Sequence, residues 1–222
     1  MDIYLEEGAK RMFAGALEWP GWCRAGRDEA AARRALLDYA PRYAAVAGRA
    51  GLGFAPPDAA EGFRVVERLP GDATTDFGAP SAIPASDRER LREGELARLG
   101  ALLAGCWAAF DAAAEAAIGV ALRKGPRGGG RELEDITRHV LGAEQGYLSR
   151  LAWKAPRGDS GNLNEDMRRT RQAIMDALAA AERGEIPERG PRGGVIWPAR
   201  YFVRRVAWHV LDHAWEIEDR AA

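Results

Sequence analysis

The chain has 222 residues, 47% hydrophobic and 29% charged, which are the proportions of an ordinary globular protein with one large domain or two small ones. Its 32 basic residues nearly balance its 33 acidic ones, so no excess positive charge favours nucleic acid or an anionic membrane surface as a partner. An acidic start without an apolar segment, and two distant cysteines at positions 23 and 106, predict a cytoplasmic protein without a disulfide framework or a thiolate zinc site.

Residues 1–72 are predicted to form a small α+β domain. Three short extended runs separated by turn residues indicate an antiparallel meander: residues 3–5, 11–19 and 22–25. Asp28 is a suitable N-cap for a following helix, whose apolar residues recur at spacings of three and four and which we expect to break near Pro41. Residues 63–69 are apolar and β-branched, which predicts a returning strand.

Residues 73–85 are rich in Gly, Ala, Pro and Ser and are predicted to be a linker. Beyond the linker, residues 86–222 have the pattern of four long amphipathic helices. Ser86 and Glu89 form a predicted capping box for the first helix, and apolar residues then continue at helical spacing to Ala121.

The other three helices are predicted from their caps and apolar spacing. The second spans residues 131–153, the third begins at Asn162 or Asn164 and ends at Gly184, and the fourth has Pro198 in its first turn. Two glycine-rich segments are interpreted as loops: residues 125–130 and 190–194. Four such helices predict a four-helix bundle, a fold that binds metals through inward side chains of facing helices.

Three histidines are the main functional signal, because the chain contains no others. His209 and His213 are four residues apart, which places both on one face of the fourth helix and lets them bind one ion. His139 lies on the second helix, which we expect to face the fourth. Three histidine ligands leave a position open to water or substrate, an arrangement typical of a reactive site. The alternative is three unrelated histidines, each satisfied by a local hydrogen bond.

Neighbouring side chains are placed by the same helical spacing. Arg205 and Tyr201 precede His209 by one and two turns, so they are candidate substrate contacts beside the open side of the metal. Alternatively, Arg205 extends to solvent and Tyr201 caps the core. Asp135 and Glu216 are candidates to accept the second N–H of a ligand or to act as a general base, and orienting or surface roles are the favoured interpretation.

Two segments carry a family resemblance: RHVLGAE at residues 138–144 and WHVLDHAWEIEDR at residues 208–220. With these segments, the part of the chain from residue 86 to residue 222 resembles the DinB-like (DinB/YfiT) superfamily. The resemblance implies a four-helix bundle with an up-up-down-down connection, frequently dimeric. It also implies a divalent metal bound by one histidine of the second helix and an HxxxH pair of the fourth, and the three histidines of this chain match those positions.

The resemblance implies a metal without specifying a reaction. Some members look like transferases that use low-molecular-weight thiols such as bacillithiol or mycothiol, and others like metal-dependent hydrolases or isomerases. Neutral imidazoles suit zinc, nickel, iron or copper. We favour a divalent transition metal, zinc or nickel, with iron or manganese as alternatives. The expected partners are a small-molecule substrate, such as a low-molecular-weight thiol, and a second copy of the chain in a homodimer.

The N-terminal part carries a looser resemblance, in WPGW at residues 19–22, Gly26 and DEAAA at residues 28–32. Over residues 1–70 the chain is similar to HicB-like domains. These domains have a degraded ribonuclease-H-like fold used for protein contacts, usually beside a DNA-binding part that is missing here. The resemblance implies an interaction or dimerisation module, or one wall of the active-site cleft.

Two functional hypotheses follow. The first is a metal-dependent enzyme, of thiol-dependent transferase or hydrolase type, in which the ion polarises a substrate or activates a water or thiol. The second is a non-catalytic, metal-stabilised binding or regulatory protein that acts through its HicB-like domain. An open metal position beside Arg205 and Tyr201 favours the enzyme, and a closed site favours the binding protein.

Overall fold

The structure is a computed structural model that describes residues 1–124, 130–156, 160–190 and 193–221. Within these ranges the protein is mixed α+β, with a four-stranded sheet near the N-terminus and seven α-helices. The strands are β1 (Asp2–Glu7), β2 (Met12–Ala16), β3 (Cys23–Gly26) and β4 (Arg64–Pro70). The helices are α1 (Glu29–Asp38), α2 (Ala40–Arg49), α3 (Ala73–Phe77), α4 (Glu95–Ala116), α5 (Leu133–Leu148), α6 (Leu163–Glu182) and α7 (Ala199–Ala221).

The sheet has the strand order β3-β2-β1-β4. β1 pairs antiparallel with β2, and β2 with β3, which confirms the predicted meander. β4 confirms the predicted returning strand, but it runs parallel to β1, with Ile3 opposite Val65. The pairing is parallel because α1 and α2 form a crossover between β3 and β4, which lets β4 enter the sheet in the same direction as β1.

The first two helices follow the predicted caps. The Asp28 carboxylate accepts a hydrogen bond from the backbone N–H of Ala31 at 2.8 Å, so Asp28 is the N-cap of α1. α2 begins with Pro41 in its first turn, where a missing N–H does no harm, and this confirms the expected break. α1 packs on β2 and β3, while α2 packs on α4. α2 therefore lies between the N-terminal elements and the first long helix, while Trp208 of α7 packs directly on Phe13 of the sheet.

The first long helix begins later than its sequence predicts. Ser86 lies in a 3₁₀ turn, Ala85–Arg88, and α4 starts only at Glu95. Gly94, at the N-cap of α4, has a left-handed φ of 78°, which glycine adopts at low cost. The predicted capping box of Ser86 with Glu89 is therefore wrong.

A buried ion pair accounts for this difference. Asp87, inside the 3₁₀ turn, accepts hydrogen bonds from Nε and Nη2 of Arg204 on α7, at 2.6 and 2.9 Å. The same guanidinium donates to the backbone carbonyls of Ala16 and Leu17 at the end of β2, both at 2.7 Å. Because this contact holds the turn against α7, the segment does not continue as the start of α4.

Two further helix ends differ from prediction. α4 ends at Ala116, before Ala121, so the predicted apolar stripe does not continue as helix, and Ile118 is 72% exposed. α5 is shorter than the predicted range of 131–153, since a 3₁₀ turn and Ala152 with a positive φ follow it. The glycine-rich loops expected at 125–130 and 190–194 lie partly outside the described residues.

The remaining boundaries confirm the predicted caps. The Asn162 side chain accepts hydrogen bonds from the N–H groups of Asn164 and Glu165, at 3.0 and 3.2 Å, and so caps α6. Gly184, with a φ of 73°, follows the end of α6, and Pro198 directly precedes α7. Local cap chemistry thus defines both helices.

The long helices pack on one another: α4 contacts α6 and α7, and α5 contacts α6 and α7. Buried side chains of the sheet and of these helices form one continuous cluster, which includes Ile3, Leu5, Phe110 and Phe202. The segment 73–85, expected to be a linker, contains the short helix α3. Its role as a domain boundary stays a prediction. Among the described helices, α4 is long and apolar enough to cross a membrane, but 56% of its most apolar window is buried, as in a core helix.

Glu144 is a fully buried carboxyl on α5. Burial raises the pKa of Glu144 from 4.5 to about 7. The charge of Arg171 and the hydrogen bond that Trp107 Nε1–H donates to the carboxyl at 2.6 Å lower the pKa by smaller amounts. The folded protein therefore keeps this proton at pH values where the unfolded chain has released it. From this group we expect the free energy of unfolding to fall by about 3 kcal/mol as the pH rises from about 4.5 to about 7.

The variant E144Q tests this expectation, since the amide still offers Trp107 an acceptor but no longer ionises. The free energy of unfolding is measured with denaturant at about pH 5 and about pH 8. It should decrease less between these pH values in E144Q than in the wild type, because the contribution of Glu144 is absent. E61Q, which alters an exposed glutamate, should retain the wild-type difference. An equal decline in E144Q and wild type would show that Glu144 is ionised throughout this range.

Candidate metal centre

The structure brings the three histidines of the chain together. His139 on α5 faces His209 and His213, which lie one turn apart on α7. The Nε2 atoms of His139 and His209 are 3.2 Å apart, and one ring nitrogen from each histidine lies within 4.8 Å of the other two. Three nitrogen donors at this separation form a group that could hold a metal ion.

The local environment favours the uncharged form of His139 and of His209. Burial is the main cause that lowers the pKa of His209 to about 2, and the positive charge of Arg205 lowers it further. Burial also lowers the pKa of His139. Both rings are therefore neutral at pH 7, as metal binding requires. The buried Nδ1 of His209 has no hydrogen-bond partner among the described residues, so this ring retains unused bonding capacity.

Glu216 orients the third histidine. One of its carboxylate oxygens accepts a hydrogen bond from Nδ1 of His213 at 2.7 Å, and the other accepts from Arg220 Nη1 at 2.8 Å. The bond from His213 is the largest cause that lowers the pKa of Glu216, so the carboxylate is charged. With Nδ1 of His213 bonded in this way, Nε2 is the nitrogen left for an ion. The orienting interpretation of Glu216 agrees with this contact.

Arg205 and Tyr201 both contact the segment that precedes the 3₁₀ turn. Nη1 of Arg205 donates to the carbonyl of Pro80 at 3.0 Å, and the hydroxyl of the buried Tyr201 donates to the carbonyl of Ser81 at 2.9 Å. The Arg205 guanidinium also lies over the ring of Trp208, 4.7 Å from its centroid. Arg205 thus stays within one turn of His209, while the Tyr201 proton already has a backbone acceptor.

Asp135 is exposed on α5, one turn before His139. Within the described part of the chain no hydrogen bond joins it to a histidine. The geometry therefore gives Asp135 no orienting contact, and the surface interpretation of this residue fits best.

Two aromatic residues near the centre, Tyr147 and Trp197, were not singled out from the sequence. The ring of Tyr147 lies 5.9 Å from that of His209, 5.7 Å from the Arg205 guanidinium and 5.5 Å from the ring of Trp197. Tyr147 follows His139 by eight residues, a spacing that places both on one face of a helix. Helical periodicity could therefore have predicted that Tyr147 lies near the centre. Trp197 precedes α7, and no periodicity pointed to it.

No family model, curated protein or solved structure matches the chain. A three-histidine cluster lies in a helical C-terminal part, and this arrangement is compatible with a metal-binding helical fold.

Proposed function

We propose that this protein is a divalent-metal-dependent enzyme of the DinB-like type, a thiol-dependent transferase or a hydrolase. In this proposal α4, α5, α6 and α7 form an up-up-down-down bundle around the metal. The convergence of His139, His209 and His213 carries the proposal, because a set of three histidine ligands leaves coordination positions for a substrate. We also propose that the protein is a cytoplasmic homodimer and that its N-terminal part is of the HicB-like type.

The chemistry of the donor set fits a transition metal, with zinc or nickel preferred and iron or manganese as alternatives. His139, His209 and His213 would hold the ion, each through one ring nitrogen. When bound, such an ion polarises a substrate or lowers the pKa of a water or thiol towards neutrality.

Other side chains of the protein would orient the ligands, exclude water and contact the substrate. Glu216 keeps the His213 ring in one tautomer and orientation through its 2.7 Å hydrogen bond. Burial of His209 excludes water from one side of the centre. Arg205 supplies positive charge one turn from His209, and Tyr147 and Trp197 add aromatic surface. These contacts suit a thiol substrate that carries an anionic group.

One observation favours the alternative, a non-catalytic metal-stabilised binding or regulatory protein. Polar atoms of both Arg205 and Tyr201 are already engaged by the backbone carbonyls of Pro80 and Ser81. These side chains would then attach the segment after β4 to α7, and the N-terminal sheet would engage a partner.

A turnover assay distinguishes the metal-dependent enzyme from the non-catalytic binding protein. Protein reconstituted with zinc or with nickel is incubated with glutathione or N-acetylcysteine plus an electrophilic acceptor, and separately with activated esters and amides. The enzyme hypothesis predicts thiol consumption or hydrolysis that H209A, prepared in parallel, does not support. Metal bound at one ion per chain with no turnover above that of H209A across the panel favours the binding protein.

The variant R205M tests the substrate role of Arg205. The change keeps much of the apolar stem and removes the charge, so we expect affinity for an anionic thiol to fall by about 1–3 kcal/mol while metal content stays unchanged. R200M is a matched control on the same helix, because Arg200 instead donates to Glu95 at 2.7 Å. Titration calorimetry and thermal melts measure both effects. Equal thiol affinity in R205M and R200M, with a lower melting temperature for R205M, would assign Arg205 to structure.

A further inference from the structure

A cavity of about 780 Å³ lies between α4, α6 and the first turn of α5, and none of the three histidines lines it. This volume is in the range of pockets that enclose small organic molecules. It is independent of the proposed metal chemistry, because its lining comes from other faces of the helices.

The cavity wall is largely aromatic and aliphatic. Trp107 and Phe110 on α4 are buried side chains that line it, and Met167 and Met175 line it from α6. Methionine side chains are flexible and polarisable, so they adapt to differently shaped apolar ligands. Ile118 also lines the cavity although 72% of it is exposed, and a bound apolar molecule would cover it.

The charges of the lining are not balanced. Both arginines in the lining are already paired: Arg171 makes two hydrogen bonds with Asp111, at 2.7 and 2.8 Å, and Arg168 is bonded to Glu165. Glu115 lines the cavity as an exposed carboxylate, and no described residue forms a hydrogen bond or ion pair with it.

The lining as a whole therefore carries three carboxylates against two guanidinium groups, which leaves one net negative charge. The carboxylates are those of Asp111, Glu115 and Glu134. Asp111 is bonded to Arg171 and Glu134 to Arg138, so among the described residues the uncompensated charge is that of Glu115. A cation gains from this charge, whereas an anion would have to displace the existing partners of Arg168 or Arg171.

We propose that this cavity is a binding site for a small organic cation with an aromatic or aliphatic body. The apolar body would lie against Trp107, Phe110 and the two methionines, and the cationic group would lie towards Glu115. Charge complementarity selects this occupant over an organic anion of the same shape.

Two ions of nearly identical shape and opposite charge test the proposal. Tetraphenylphosphonium and tetraphenylborate are titrated separately into the full-length protein in a calorimeter. We expect saturable binding of the cation and at least about tenfold weaker binding of the anion, the size expected when one partly exposed charge changes from attraction to repulsion. Equal affinity for both ions, or tighter binding of tetraphenylborate, overturns the proposal.

Two pairs of variants locate the site. A114W places a large ring in the cavity and should abolish cation binding, while A104W, at an exposed position of the same helix outside the lining, should not. E115Q should weaken cation binding about threefold, and the charge-matched control E61Q should leave it unchanged. Unchanged binding in both A114W and E115Q overturns the proposal. The proposal is also overturned if neither ion binds and A114W dissociates a dimer of the protein. That result would show that a second copy of the chain covers the cavity.

Discussion

Replacing His209 with Ala is expected to abolish stoichiometric metal binding. The Nε2 of this residue lies 3.2 Å from that of His139, and His213 is one turn away on the same helix, so His209 links the two halves of the donor set. Without it only two protein ligands remain. Because loss of a residue that merely orients a ligand costs about 10–100-fold in metal affinity, loss of a ligand should cost more than about 100-fold.

Elemental analysis of protein purified with zinc or nickel supplied in turn should give one ion per chain for the wild type and none for H209A. E216Q is the graded control: it removes the charged acceptor of His213 but no ligand, so it should bind the ion about 10–100-fold more weakly and still saturate. Circular dichroism establishes that all three proteins are equally helical. A wild type that binds no metal, or an H209A variant that keeps it, would show that the histidines do not form a metal centre.

The wild type should also melt at a higher temperature when the ion is added, because an ion that binds only the folded state stabilises it by about 2.7 kcal/mol at a hundredfold excess over Kd. H209A should show no such increase. The same comparison after treatment with a chelator separates the contribution of the ion from that of the side chain.

Replacing Asp87 with Ala is expected to have the largest effect on stability. Asp87 and Arg204 are both almost fully buried, and they are joined by two hydrogen bonds. Removing the carboxylate leaves the guanidinium charged and buried, because arginine stays protonated at any accessible pH. Loss of one partner of a buried pair costs about 3–5 kcal/mol in free energy of unfolding.

D2A is the matched surface control, because Asp2 forms an ion pair with the largely exposed Arg64. Solvent screens such exposed pairs and they contribute little to stability, so D2A should unfold near the wild-type denaturant concentration. The double variant D87L/R204M should recover part of the loss, since no charge then remains buried, but the carbonyls of Ala16 and Leu17 lose their donor. Equal unfolding free energies for D87A and D2A would show that water reaches the Asp87–Arg204 pair.

The local features of the fold were predictable from the sequence. Asp28 and Asn162 cap their helices, and Pro198 precedes its helix, because each acts on backbone groups within a few residues. The HxxxH spacing placed His209 and His213 on one face for the same reason, since 3.6 residues per turn bring positions four apart together. The meander of β1, β2 and β3 followed from alternating runs and turn residues.

Tertiary structure decided the features that depend on residues far apart in the chain. The approach of His139 to the α7 pair was an expectation from bundle packing, and only the contact between α5 and α7 sets its distance. Ser86 has the local signature of a helix cap, yet the bond between Asp87 and Arg204, 117 residues apart, overrides it. The parallel pairing of β4 and the raised pKa of Glu144 likewise depend on packing. Helical and turn periodicity encode only neighbours along the chain, whereas burial and charge pairing arise where distant segments meet.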